Sequence, residues 1–134
     1  MSLELEMVLR LLLATGLGAA VGYQRERAGK SAGLRTHILI CVGAALFTIA
    51  SIYGFGPAGD PARVAAGIVA GIGFIGAGAI IHHGAGDIVA GLTTATTIWV
   101  VAAIGLATGV GLYLVAGVTT AITLAILFST HHIR

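Results

Sequence analysis

Charged residues are scarce in this chain. Of its 134 residues, 7 are Lys or Arg and 5 are Asp or Glu, which makes 9% charged against 57% hydrophobic. Soluble domains average about 25% charged residues, and disordered chains combine low hydrophobicity with high charge. The composition therefore excludes both an ordinary soluble domain and a disordered chain.

Cysteine and acidic residues are also rare. Cys41 is the single cysteine, so no disulfide can form within the chain, and its apolar surroundings predict a small core residue. None of the five acids lies in the middle of an apolar run, whereas Mg²⁺ sites usually use carboxylates. No nucleophile–base pair can be drawn either. We therefore expect no enzyme, no resident metal and no cofactor, and a net charge of +2 is too small to predict nucleic-acid binding.

Long charge-free runs are what the sequence has instead. A hydrocarbon core about 30 Å thick needs roughly 20 apolar residues per helix, and backbone groups in lipid must be satisfied internally. The last charge-free run is long enough for two crossings, with Gly105, Gly109 and Gly111 marking the turn. We predict an all-α polytopic membrane protein, one domain over 1–134 with no soluble C-terminal domain. Its five transmembrane helices are expected at 3–23, 34–53, 63–81, 88–107 and 110–128.

Helix starts and basic loops give the orientation. Asp60 and Pro61 are typical of an N-cap and a first helical position, and Asp87 could cap the fourth helix in the same way. Lys and Arg of short loops stay on the cytoplasmic side, and the loop after the first span is the most basic. We therefore predict the N-terminus outside and the C-terminus in the cytoplasm. All five histidines would then lie on the cytoplasmic side: His37, His82, His83, His131 and His132. We expect the two adjacent pairs to lie where helices leave the membrane rather than to bind a metal.

Glycines recur at intervals of four residues, a spacing that lets helix backbones approach closely in lipid. We expect most of these pairs to pack within one copy of the chain, although a homodimer seam is possible, with the third span its best candidate. The pairs are Gly18 and Gly22, Gly67 and Gly71, and Gly105 and Gly109.

Two polar features lie inside the predicted spans. Arg10 shares a helix face with Glu6, so the pair either reaches the outer interface or Arg10 joins helices through backbone carbonyls. The densest polar patch contains four threonines, Thr93, Thr94, Thr96 and Thr97, followed by Trp99. We predict that Thr93 and Thr97 share one face, which could line a polar path.

Three segments together resemble the MgtC/SapB family. They are 22–27 with 32–36, then 71–78, then 91–99, and the likeness covers nearly the whole chain. The resemblance implies a multi-pass protein of the bacterial inner membrane, linked to growth at low Mg²⁺, acid tolerance and virulence. It also implies action on the F-type ATP synthase and on membrane potential. The alternative is a carrier or leak for Mg²⁺ or another ion.

The resemblance also carries over particular residues. Gln24 stands where the family often has Glu, and many members have a further C-terminal cytoplasmic domain. We expect Arg25 to pair with Asp87, and Glu26 with Arg35. The motif residues are Arg25, Glu26, Arg35, Thr36, Thr93, Thr94, Thr97 and Trp99.

Overall fold

The computed structural model describes the backbone of residues 2–82 and 88–133 and the side chains of 2–81 and 91–129. These residues form helices and connecting turns, without a β-strand. The helices are α1 (Leu3–Arg27), α2 (Leu34–Tyr53), α3 (Pro61–His82), α4 (Ile88–Val110) and α5 (Tyr113–Ile133). Four of them are long and apolar enough to cross a membrane, and α5 adds a shorter apolar stretch, Tyr113–Ser129. The predicted all-α membrane fold with five helices is confirmed.

Two helix ends differ from the predicted spans. Helix α1 continues to Arg27, because no residue breaks it before Gly29, which has a φ of 73°. The turn between α4 and α5 lies at Gly111, with a φ of 103°, a conformation that glycine adopts at little cost. Gly105 and Gly109 are helical residues of α4, so they were wrongly predicted as part of that turn.

The start of α3 has the predicted cap. The backbone N–H of Ala62 donates to Asp60 Oδ1 at 3.1 Å, and Pro61 is the first helical residue. The side chain of Asp60 thereby satisfies one of the orphan N–H groups of the first turn. Asp87, the predicted cap of α4, lies outside the described residues.

Helix α4 lies at the centre of the bundle and contacts each of the other four helices. Successive helices alternate in direction, so the bundle has two ends. We name them the Arg10 end, where α1, α3 and α5 begin, and the Arg25 end, where those helices finish. The core between α1, α2, α4 and α5 contains Cys41, as expected of a small buried residue, together with Ala14, Val21, Val101 and Ile104.

Two of the three glycine pairs pack against α2, one from α1 and the other from α4. A Cβ added to Gly22 of α1 would lie 2.9 Å from Leu34 Cα. One added to Gly109 of α4 would lie 2.8 Å from the Ala45 carbonyl oxygen. Such contacts are too close for a side chain, so Gly18, Gly22, Gly105 and Gly109 permit the close packing of α1, α2 and α4. The third pair differs, because a Cβ at Gly67 or Gly71 would meet nothing within 4 Å.

Candidate functional site

Arg10 joins α1 to the helix ends around it. Its side chain is 6% exposed. Nε donates to the Tyr113 hydroxyl at 2.8 Å, and Nη1 donates to the Tyr53 hydroxyl at 3.0 Å and to the Gly109 carbonyl at 2.9 Å. Nη2 lies 3.4 Å from Glu6 Oε2, which completes an ion pair one helical turn away.

Both interactions predicted for Arg10 are present. They are the ion pair with Glu6 and a hydrogen bond to a backbone carbonyl. The guanidinium also lies 5.6 Å from the ring centroid of Tyr53 and 5.9 Å from that of Tyr113, within the range of cation–π attraction. The sequence reasoning missed both tyrosines. Their positions at helix ends are a signal that could have found them, since tyrosine is enriched where helices reach the membrane surface.

Arg25 is buried at the other end of α1 with far fewer partners. It is 2% exposed, and its Nη2 donates to Thr94 Oγ1 at 3.1 Å. Its Nε is buried and has no hydrogen-bond partner among the described residues. Asp87, its predicted partner, lies outside those residues. Within the described part of the chain, Arg25 is therefore held by one neutral hydroxyl.

His37 lies beside this arginine and is fully buried between helices. Its Nδ1 is 2.9 Å from the Gly33 carbonyl and its Nε2 is 3.3 Å from Thr97 Oγ1. A carbonyl only accepts, so Nδ1 carries a hydrogen. The Thr97 hydroxyl has one hydrogen, which it can donate either to Nε2 or to the Thr94 carbonyl at 2.8 Å. His37 shares the buried face of α2 with Cys41, four residues on, and that spacing could have placed it in the core.

Glu26 and the remaining motif residues lie around this group. The Glu26 carboxylate accepts from the Leu34 N–H at 3.0 Å, so it caps α2, whose N-cap Gly33 has no side chain to do so. No salt bridge among the described residues joins Glu26 to Arg35, so that predicted pair is wrong. Arg35 and Thr36 are both exposed.

The threonines of α4 face two directions. Thr94 and Thr97 are buried, whereas Thr93 is exposed and Trp99 is 56% exposed on the outer surface of the bundle. The prediction that Thr93 and Thr97 share one face of the helix is therefore wrong. The inward pair is three residues apart rather than four because α4 presents Thr94, Thr97 and Val101 to its neighbours.

The geometry defines a polytopic membrane protein with a polar group buried at each end. Among the described side chains, no three His, Cys, Asp or Glu residues lie together as a metal site would require. The family model for the MgtC family matches residues 11–134. The chain belongs to the MgtC family.

Relatives with curated names agree with this assignment. The chain is 44% identical to "Putative magnesium transporter YhiD" of Escherichia coli K12, over 96% of this chain and 62% of that protein. It is 43% identical to "Protein SapB" of Bacillus subtilis strain 168, over 81% and 49%. It is 46% identical to "Protein MgtC" of Brucella abortus strain 2308, over 82% and 45%. The chain thus spans less than two thirds of each of these relatives. No solved structure gives a significant match.

Proposed function

We propose that this protein regulates membrane energetics in the bacterial inner membrane by binding the membrane-embedded part of the F-type ATP synthase. In this role it would serve adaptation to low Mg²⁺ or acid stress, and virulence. The partner and the stresses come from the family resemblance. The alternative is an ion carrier or leak. It is supported by the name of the Escherichia coli relative, "Putative magnesium transporter YhiD".

The observation that carries the proposal is the placement of Arg25. Its guanidinium lies buried against Thr94, next to the hydrogen-bonded pair of His37 and Thr97. A cation crossing along these hydroxyls would meet a fixed positive charge, and charge repulsion is strong where the dielectric is low. Mg²⁺ also prefers carboxylate ligands together with retained water. This polar group therefore favours a regulator over a cation carrier.

Helix α3 supplies a surface on which a partner helix could dock. Gly67 and Gly71 are open to the surroundings. Beside them an apolar groove of about 640 Å³ runs between α2 and α3. Small residues on a lipid-facing helix let another helix approach closely. A helix of the synthase membrane subunit is the proposed occupant, and a second copy of this chain is the competing one.

Inverted membrane vesicles, with and without the protein, test the proposal. ATP hydrolysis and ATP-driven acidification are followed in the same sample. A regulator that inhibits the synthase lowers both signals together. If hydrolysis continues while the gradient collapses, the protein passes ions and the carrier function replaces the proposal. If neither signal changes, the proposal is wrong.

Matched glycine variants test the docking surface. Gly71→Leu should relieve the inhibition, because the larger side chain would obstruct the face of α3. Gly16→Leu on α1 is the control, since that position also has no atom within 4 Å of an added Cβ. Equal loss of inhibition in both variants would exclude α3 as the docking surface. Co-purification of two differently tagged copies would show whether the face binds a second copy instead.

A hydroxyl variant separates the regulator from the carrier. Replacing Thr94 and Thr97 together by Val removes both side-chain hydroxyls of the buried path while nearly conserving volume. A regulator should keep its inhibition of the synthase, provided that the variant remains folded by circular dichroism. A carrier should lose its ion flux.

A further inference from the structure

A cleft of about 730 Å³ separates α1 from α5 at the Arg25 end. At the Arg10 end the same helices are joined by the bond between Arg10 and Tyr113, so they meet at one end and part at the other. The α1–α5 cleft, as we name it, is lined by Tyr23, Gln24 and Arg27 of α1 and by Ala125, Phe128 and Ser129 of α5.

The two walls of the cleft differ in chemistry. The α1 wall is mostly polar, through Gln24 and Arg27. The α5 wall presents Ala125 and the ring of Phe128, which is 61% exposed. A molecule that fills the cleft must therefore be polar on one side and apolar on the other. Because the cleft lies where two membrane helices reach one end of the bundle, a phospholipid meets both requirements.

Arg27 is held in place with most of its hydrogen-bonding capacity unused. Its Nη1 donates to the Tyr23 hydroxyl at 3.2 Å, and its guanidinium carbon lies 5.8 Å from the centroid of the Tyr23 ring. A guanidinium has five N–H donors, and the described contacts of Arg27 use one. Tyr23 thus orients the group while the remaining donors can reach a phosphate.

Gln24 is the second polar side chain on the α1 wall of the cleft. Its Oε1 is buried and has no hydrogen-bond partner among the described residues. A buried acceptor without a donor costs about 1–3 kcal/mol. Since Oε1 has no surface open to the cleft, the Gln24 side chain must turn toward an occupant, whose hydroxyl would then supply the donor.

We propose that the α1–α5 cleft binds an anionic phospholipid of the phosphatidylglycerol type. Its phosphate accepts from Arg27, its glycerol hydroxyl donates to the Gln24 amide oxygen, and its acyl chains begin against Phe128. Basic residues close to a membrane surface attract anionic lipids. Arg27, Lys30 and Arg35 belong to the same end of the bundle, which favours this lipid over a zwitterionic one.

Native mass spectrometry of the purified chain tests the proposal, with micelles that contain equal amounts of phosphatidylglycerol and phosphatidylcholine. The wild-type chain should retain phosphatidylglycerol preferentially. Arg27→Gln should reduce that preference about fivefold, which corresponds to about 1 kcal/mol at 1.4 kcal/mol per tenfold. Arg63→Gln, which removes an exposed arginine at the opposite end, should leave the preference unchanged.

Two further variants identify which parts of the lipid are recognised. Phe128→Ala should lower lipid retention, whereas Phe74→Ala, at a ring that is 82% exposed on α3, should not. Gln24→Leu should reduce discrimination between phosphatidylglycerol and phosphatidic acid, which has no headgroup glycerol.

Three results would overturn the proposal. The first is equal retention of both lipids by the wild-type chain. The second is an equal loss of preference in Arg27→Gln and Arg63→Gln, which would indicate general surface attraction. The third is displacement of the lipid by soluble glycerol phosphate at constant ionic strength, which would make the site specific for the headgroup alone.

Discussion

The two buried arginines of α1 are accommodated in opposite ways. Arg10 has a carboxylate, two tyrosine hydroxyls and a backbone carbonyl as partners. Arg25 has one threonine hydroxyl among the described residues and a buried Nε without a partner. Both side chains are buried, at 6% and 2% exposed, and taking a charged group out of water costs several kcal/mol even after relaxation. Arg10 offsets that cost through its contacts, whereas the described residues offset little of it for Arg25.

We infer from this difference that the two arginines have different roles. A well-partnered charge that joins four helix segments stabilises the Arg10 end. The described residues give Arg25 a single hydrogen bond, which stabilises its charge little, and perturbed charges concentrate at functional sites. The comparison is therefore the physical basis for assigning function to the Arg25 end.

The largest expected effect comes from replacing Arg10 by Met, with Arg25→Met as the matched comparison. Arg10→Met should destabilise the protein by about 2–3 kcal/mol, because the Tyr53 hydroxyl and the Gly109 carbonyl lose a charged donor. Glu6 and Tyr113 would keep only their own contact, at 3.4 Å. Arg25→Met should change stability by less than about 1 kcal/mol, since replacing a poorly paired buried charge by an apolar side chain is often neutral or stabilising. Unfolding in detergent, followed by circular dichroism, measures both.

Equal destabilisation by the two substitutions would contradict the claim that the two arginines differ in how well they are partnered. It would mean that Arg25 has strong partners of its own, and Asp87 would be the first candidate to test by Asp87→Asn.

A smaller effect is expected from the tyrosines at the Arg10 end. Tyr53→Phe and Tyr113→Phe should each cost about 1 kcal/mol, the usual net value of a hydrogen bond or slightly more when the partner is charged. In the Arg10→Met background each should cost much less, because residues in one network are energetically coupled. Tyr23→Phe is the control, since its bond to the exposed Arg27 should contribute little. Full additivity would show that Arg10 does not organise these side chains.

The smallest effect is expected at the Arg25 end. Thr94→Val should cost about 0.5 kcal/mol and nothing further once Arg25 is replaced by Met, because the two side chains share a single hydrogen bond. Thr96→Val, at an exposed hydroxyl that bonds its own helix, serves as the control. A cost for Thr94→Val well above that of Arg25→Met would show that the hydroxyl has another role.

Several elements of the fold could be read from the sequence. The charge-free runs predicted the helices because the backbone of a membrane span must bond to itself, and Asp60 with Pro61 predicted the start of α3. The site was predicted less completely. Arg25 and Thr94 were both identified, but their contact was not. Glu26 was assigned to Arg35 because opposite charges on one side of the membrane were expected to pair. The nearby helix start offered a backbone N–H instead.

Helix number, membrane character and family membership follow from the sequence by itself, because hydropathy and motif order are properties of the linear chain. Only the tertiary structure decides which glycines contact α2, which threonines of α4 face inward and which groups surround each arginine. Arg10 and Tyr113 are 103 positions apart, and Arg25 and Thr94 are 69 apart. Contacts at such separations depend on how each helix is rotated about its axis, and that rotation is set by side-chain packing between helices rather than by hydropathy.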